Sequence, residues 1–294
     1  MFKGTPEAPM TRLESKRRKE AKNAAWRTAW YLILGLGAVT MLVPFFWMLS
    51  TSLKEAGAVF TFPPQWIPKP VLWRNYVDAW NAVPFGRFYL NSIFIAACQT
   101  FGVLLTSSMA AYAFARLEFP GRDKLFFLYL ATMMLPGAVT MIPTFILLKM
   151  VGWIDTYKAL IIPGLFTAYG TFLLRQFFMS IPGDLEDAAR IDGCSKMGIY
   201  RHVVMPLSKP ALATLGTMTF IGSWNSFMWP LIVTNSMEKK TLPIGLASFQ
   251  GLYTTDWTLL MAASIIVMVP TLIVFIFNQR FFVEGINLTG TKGY

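Results

Sequence analysis

Six stretches of the chain hold no Asp, Glu, Lys, Arg or His: Thr28–Leu53, Phe88–Ala115, Leu125–Leu148, Ala159–Leu174, Pro210–Met237 and Trp257–Gln279. They run for 26, 28, 24, 16, 28 and 23 residues. A helix needs about 20 apolar residues to cross a hydrocarbon core about 30 Å thick. Five stretches meet that length outright. The fourth does so by leaving Lys158 and Arg175 at the interfaces, where long cationic side chains reach back to water. The pattern predicts six transmembrane helices, over about 28–51, 88–115, 125–148, 158–178, 211–235 and 258–281. The expected fold is an all-α integral membrane domain over 28–294, preceded by a basic arm over 1–27.

Composition agrees. Of the 294 residues 55% are hydrophobic and 14% charged, against about 25% charged in a soluble domain. The basic residues then set an orientation. With the N-terminus in the cytoplasm, the inside segments 1–27, 116–124, 175–209 and 280–294 hold 18 Lys and Arg. The outside segments 54–87, 149–158 and 238–256 hold 8. Both termini are therefore expected in the cytoplasm. The tract Lys16-Arg17-Arg18-Lys19 reads as a topology signal in contact with anionic lipid, not as a nucleic-acid arm. The first apolar run is too long for a signal-peptide core and lacks a small-residue cleavage site, so it is expected to stay as a helix.

Several chemistries drop out. Two cysteines, Cys98 and Cys194, and the single His202 offer no disulfide framework, no metal-ligand spacing and no Ser-His-Asp arrangement. Carriers driven by protons or sodium usually keep ionisable groups at membrane depth, despite a cost of about 2.5–3.5 kcal/mol each. None of the six runs contains one. Coupling energy should come from elsewhere.

Prolines interrupt the expected spans at Pro44, Pro136, Pro143, Pro163, Pro230 and Pro270. Each removes a backbone donor and favours a bend, tolerated in lipid only where neighbours or a water-filled cavity satisfy the freed carbonyls. The second span carries Ser107, Ala111 and Ala115 at intervals of four, a stripe that permits close helix approach. Outside, Phe62-Pro63-Pro64-Gln65-Trp66-Ile67-Pro68 reads as an irregular aromatic cap on the membrane surface.

The loop over 181–207 reads as two short helices with a glycine hinge. Asp184 suits the N-cap, with Glu186 and Asp187 in the first turn where they complement the helix dipole. Gly193 permits the left-handed backbone that ends the first helix. Ser195 caps a second helix with Met197, Tyr200, Val203 and Val204 on one face, and Pro206 stops it.

This loop resembles the EAA loop of bacterial ABC-importer permeases, whose pattern is Glu-Ala-Ala, three residues, Gly, nine residues, Ile-x-Leu-Pro. Here Asp187-Ala188-Ala189 is followed after three residues by Gly193, and after nine more by Val203-x-Met205-Pro206. The likeness extends over nearly the whole chain, toward the smaller, MalG-type permease of carbohydrate importers. Asn91-Ser92, Ala110-Ala111-Tyr112-Ala113-Phe114-Ala115-Arg116-Leu117, Phe119-Pro120-Gly121-Arg122 and Met133-Met134-Leu135-Pro136 carry it. So do Phe172-Leu173-Leu174-Arg175-Gln176-Phe177-Phe178, Ser223-Trp224-Asn225, Gln279-Arg280-Phe281-Phe282-Val283-Glu284-Gly285 and Gly290-Thr291-Lys292-Gly293.

The resemblance implies a type I ABC-importer permease fold in a bacterial inner membrane, and a transport subunit without catalysis of its own. The sequence has no Gly-x-x-x-x-Gly-Lys-Ser/Thr loop, so ATP and Mg should bind a partner ATPase. Implied partners are two copies of that ATPase, a second, non-identical permease, an extracytoplasmic solute-binding protein and a carbohydrate. The segment 184–206 should dock the ATPase through Glu186, Asp187, Ala188, Ala189, Asp192, Gly193, Met197 and Pro206. Tyr169, Thr171, Trp224 and Asn225 are candidates for the sugar path, since aromatic faces, hydroxyls and amides hold sugars. By position, the loop with Gly245, Phe249, Gly251 and Tyr253 is the candidate contact for the solute-binding protein. A permease for a non-sugar solute is the alternative; an ATP-independent channel or secondary carrier fits less well. The whole chain's net charge of +11 points toward an acidic oligosaccharide such as alginate. The outside segments, with 8 basic residues against five acids, leave neutral maltodextrins equally open.

Overall fold

The computed structural model describes the backbone of residues 12–251 and 255–290, with side chains over 22–251 and 255–281. Its helices follow in the order α1 (Arg12–Ser52), α2 (Arg74–Ala82), α3 (Phe85–Arg116), α4 (Arg122–Ala131), α5 (Gly137–Met150), α6 (Tyr157–Ile161) and α7 (Ala168–Ser180). Then come α8 (Asp184–Ile191), α9 (Lys196–Ile199), α10 (Met205–Leu207), α11 (Lys209–Trp224), α12 (Met228–Val233), α13 (Leu242–Ala247) and α14 (Trp257–Gly290). Among the described residues the β pairing is limited to one isolated bridge, Gln250 to Thr255. We call the end that carries 181–207 the lower end.

Four described segments are long and apolar enough to cross a membrane: Lys22–Ser52, Phe85–Arg116, Tyr157–Ser180 and Trp257–Phe281. A fifth is a bent pair, Arg122–Met134 and Gly137–Met150, meeting at 99°. The bend falls at Leu135, which is extended, and Pro136, which forms the N-cap of α5. Proline disfavours helical geometry in the residue before it, so the break belongs there. The stretch expected as one span over 211–235 is divided as well. Helix α11 ends at Trp224 and α12 begins at Met228. Pro230 has no N–H to offer the carbonyl of Ser226, which favours a break one turn earlier.

The break at Pro163 shows how freed carbonyls are handled. A 3-10 turn, Ile162–Leu165, replaces the α-helix there. The carbonyl of Ala159, which Pro163 cannot serve, accepts from Trp229 Nε1 at 3.0 Å. Gln99 donates to the carbonyl of Leu160 at 2.7 Å, and Thr106 to that of Leu165 at 2.6 Å. Each orphan acceptor inside an apolar layer costs several kcal/mol unless paired, roughly. Side chains of α3 and α12 thus make the proline tolerable.

Helix α3 is the centre of the packing. It lies against α7, α11, α13 and α2. The small-residue stripe faces α7: Ser107 and Ala111 are buried, and Ala111 shares a cluster with Leu174 and Phe178. A second cluster at the other end gathers Phe85, Phe88, Trp224, Leu242 and Phe249. Helix α1, by contrast, packs along α14 and turns Leu36, Met41 and other large apolar side chains outward. The aromatic segment after it is irregular, as expected, and is pinned by Ser50, whose hydroxyl donates to the Trp66 carbonyl at 2.7 Å.

A carbon added at Gly170 of α7 would stand 2.7 Å from Ser107 Oγ and 2.8 Å from Thr167 Cγ2, whereas at Gly222 of α11 it would meet nothing within 4 Å. Gly170→Ala is therefore expected to destabilise the bundle by about 1–3 kcal/mol. Gly222→Ala should instead gain up to about 1 kcal/mol of helix propensity. Thermal midpoints of the detergent-solubilised protein should move in opposite directions; parallel shifts would refute the close α3–α7 approach.

The candidate coupling site

Helix α8 begins where three acids, Asp184, Glu186 and Asp187, fall in its first turn. The cap position is Gly183, without a side-chain bond, so Asp184 does not serve as the N-cap. Its charge still meets the positive end of the helix dipole. The helix closes as a Schellman motif: Cys194 N–H donates to Ala189 O at 2.9 Å, and Gly193 N–H to Arg190 O at 3.0 Å. Gly193 takes φ +81°, as the hinge requires. Ser195 then caps α9, its hydroxyl accepting from Gly198 N–H at 3.2 Å.

Pro206 does not stop the second helix. Between α9 and α10 the chain widens into a π-helical turn, Tyr200–Val204, where Met205 N–H reaches the Tyr200 carbonyl five residues back. A proline at 206 would clash with the carbonyl of residue 202 in a regular α-helix, and the wider turn removes that clash. The true corner is Ser208, whose hydroxyl donates to Val204 O at 2.7 Å.

The loop has an inner and an outer face. Inward lie Ala189, Ile199 and Val204, with Tyr200 and Val203 packed against them. Met197, expected on that face, is 59% exposed. Glu186, expected among the docking residues, turns inward and is only 4% exposed. Its Oε1 meets Arg116 Nε at 2.9 Å, and Arg190 approaches its other oxygen at 3.9 Å. Arg116, at the end of α3, also donates to the carbonyls of Phe178 and Ile181. Removing either partner of a buried pair leaves the other charge uncompensated, at about 3–5 kcal/mol. Outward lie Asp187, Ala188, Asp192, Gly193 and Pro206, together with Leu185 and Ile191, which the sequence reading passed over. Ile191 is 87% exposed. The signal was present: Leu185, Ala188 and Ile191 follow one another at intervals of three.

The expected sugar-path residues part company. Trp224 is buried, with its Nε1 donating to Val267 O at 3.0 Å, and Thr171 is buried with its hydroxyl turned to Thr167 O. Both are packed among this chain's own helices. Tyr169 and Asn225 are exposed, and Tyr169 points its hydroxyl at Met218 Sδ. The helix breaks themselves meet elsewhere, around a groove of 530 Å³ lined by Gln99, Thr140, Thr144, Gly164, Ser226 and Trp229 among others. It holds no charged residue.

At the upper end, Gly245 lies beneath the Phe88 ring and Phe249 is buried, so both belong to this chain's own core. Gly251 is exposed, and Tyr253 lies outside the described residues. The segment before them is fastened by Asp155, whose Oδ1 accepts from Asn235 N–H at 3.0 Å, Ser236 N–H at 3.1 Å and the Ser236 hydroxyl at 3.0 Å. Burial pushes the Asp155 carboxyl up. The bonds from Asn235 and Ser236, with Lys239 nearby, outweigh that and hold it below its ordinary value.

Residues 102–283 match the model of a family described as binding-protein-dependent transport system inner membrane component. The chain belongs to this family. Among its relatives, the sn-glycerol-3-phosphate transport system permease protein UgpE of Yersinia pestis is 36% identical over 264 residues, 87% of this chain and 94% of that one. The arabinooligosaccharides transport system permease protein AraQ of Bacillus subtilis is 34% identical over 273 residues, 92% and 97% of the two. A chain from the crystal structure of a bacterial ABC transporter involved in the import of alginate has 26% identity and a TM-score of 0.75, covering 95% of this chain and 100% of its own length. The permease thus has the type I ABC permease fold and is a multi-pass membrane protein.

Two predictions concern geometry. Space around Gly193 is open, so Gly193→Ala should cost only the left-handed backbone penalty, about 1–2 kcal/mol, read from thermal unfolding. Asp155 contributes stability above the ordinary carboxylate range, and loses it as pH falls through its lowered folded value. Protection of the Asn235 and Ser236 amides, taken as exchange relative to the intrinsic rate at each pH, should therefore hold through the ordinary range and be lost only below it. In Asp155→Ala it should be lost throughout.

Proposed function

We propose that the chain is a transmembrane permease subunit of an ABC importer for a carbohydrate, forming half of the translocation path and coupling to a separate ATPase through 184–206. One observation carries this: Leu185, Ile191 and Met197 stand 44%, 87% and 59% exposed on the outer face of a loop whose inner face is fixed to the membrane helices. A cluster of bare apolar side chains rimmed by Asp187 and Asp192 fits a cleft in a soluble partner. The partner would bind ATP and Mg; this chain supplies no phosphate loop, and its role is transport without catalysis.

The remaining assignments follow from that docking. The lower end is cytoplasmic, both termini lie on that side, and α11 with α12 together make the fifth of six crossings in a bacterial inner membrane. Two ATPase copies, a second, non-identical permease and an extracytoplasmic solute-binding protein complete the assembly. The groove at the helix breaks is this subunit's share of the path. Its hydroxyls, its amide and Trp229 suit a polyhydroxylated solute. The names of the relatives support a sugar or sugar-like cargo. Similarity to sn-glycerol-3-phosphate permeases favours one second reading, a small phosphorylated polyol.

In complexes reconstituted with the native ATPase, Ile191→Asp, Asp187→Lys and Gly193→Pro should insert normally. Each should cut substrate-stimulated ATP hydrolysis at least about tenfold, the scale of 1.4 kcal/mol of lost coupling. Normal stimulation in all three would sink the docking assignment. Arabino-oligosaccharides, maltodextrins, alginate oligomers and sn-glycerol-3-phosphate form the panel; whichever raises hydrolysis identifies the cargo class.

A further inference from the structure

Ser108, Tyr112 and Arg116 stand four residues apart on α3 and share a face. All three hold the loop. Ser108 Oγ lies 2.8 Å from the Tyr200 hydroxyl, and Tyr112 OH donates to the Lys196 carbonyl at 3.0 Å. Arg116 pairs with Glu186 at 2.9 Å and donates to the carbonyl of Ile181 at 2.6 Å. One helix face therefore grips α8, the start of α9 and the end of α7 together.

The far end of the same helix is fastened as tightly to another loop. Asn91 Nδ2 donates to the carbonyls of Glu238 and Lys240, both at 2.8 Å, while its Oδ1 accepts from the Tyr157 hydroxyl at 2.8 Å. Ser92 Oγ accepts from Leu242 N–H at 2.8 Å. Helix α3 runs unbroken for 32 residues, and Asn91 and Arg116, at the outer limits of the two sets, stand about 38 Å apart along it at 1.5 Å per residue. The other described crossings contain prolines, at 44, 136, 143, 163, 210, 230 and 270; α3 has none. Helices bend at identifiable defects, and proline is the commonest of them.

We propose that α3 is a rigid strut that carries ATPase-driven displacement of the 184–206 loop to the segment 238–242 on the opposite face of the membrane. Arg116 and Asn91 are the positioning residues at its two ends. This rests on the reading of 184–206 as the ATPase-docking loop. Several bonds along one face fix both the translation and the rotation of the loop relative to α3. The Arg116–Glu186 ion pair adds to them an attraction that escapes ionic screening, because the two side chains are only 15% and 5% exposed. A loop free to slide on α3 would move without moving the other end.

The test uses the whole complex, with its co-expressed ATPase and second permease, in lipid nanodiscs. Mg-ATP with vanadate traps nucleotide in a closed ATPase, and amide exchange over residues 236–245 reports the far end. In the wild type, trapping should change exchange there at least about fivefold, the low end of ordinary site-to-site coupling. Arg116→Gln and Asn91→Ala should still trap nucleotide, yet lose that change to within about twofold of the untrapped state. A residue that merely supports the fold would not separate these two readouts. Either variant trapping and transmitting like the wild type would overturn the strut, as would a trapped wild type with no change at 236–245. Asn91→Ala decides the matter if Arg116→Gln does not assemble, because it lies far from the docking loop. A wild-type complex that fails to trap nucleotide would instead overturn the docking assignment, and the strut with it.

Discussion

At the edge of a membrane a guanidinium must find partners, and Arg116 finds three in the same place. It has five N–H donors in a fixed fork. Two carbonyls near the end of α7, Phe178 and Ile181, accept from it, where a terminating helix leaves acceptors short of intrahelical donors. Glu186 supplies the opposing charge from the first turn of α8, where the dipole already favours an acid. One side chain at the end of α3 thereby holds the end of α7 and the start of α8 together. With Glu186 held inward, the period of α8 fixes Leu185, Ala188 and Ile191 outward. The exposed apolar face of α8 is thus a by-product of an internal ion pair.

A second constraint comes from the prolines. Lipid offers no hydrogen bonds, so each interrupted helix has to be repaired by a neighbour. The repairs at Ala159, Leu160 and Leu165 come from Trp229, Gln99 and Thr106. Breaks in three crossings consequently gather around one groove. Polar side chains enter the apolar layer there for structural reasons, and their presence leaves a surface that a hydroxylated solute can use. Fold and groove are built from the same defects.

Much of this was legible in the sequence because the signals were local. Charge-free runs mark the crossings, Gly193 marks a left-handed residue, and Ser195 marks a cap; each needs only its own neighbourhood. The misses are residues whose orientation depends on distant partners. Glu186 and Asp187 are adjacent acids in one turn, and only Arg116, seventy positions earlier, decides which of them faces in. Trp224, Thr171 and Phe249 looked available because lipid and protein core are equally apolar, so hydropathy carries no contrast between facing outward and facing inward. Pro206 misled in another way. Proline is a helix stop when only the α form is considered, and here the chain kept the helix by widening it.

That widened turn explains the fixed distance between Gly193 and Pro206. One end of the interval is a left-handed glycine, which no neighbour can replace without strain. The other is a π turn whose one extra residue rotates everything after it by about 100° relative to an uninterrupted helix. Adding or deleting a single residue between them would turn Ile199 and Val204 out of the core. The interval is a gauge block: its length is set by the angle at which the membrane helices must receive it.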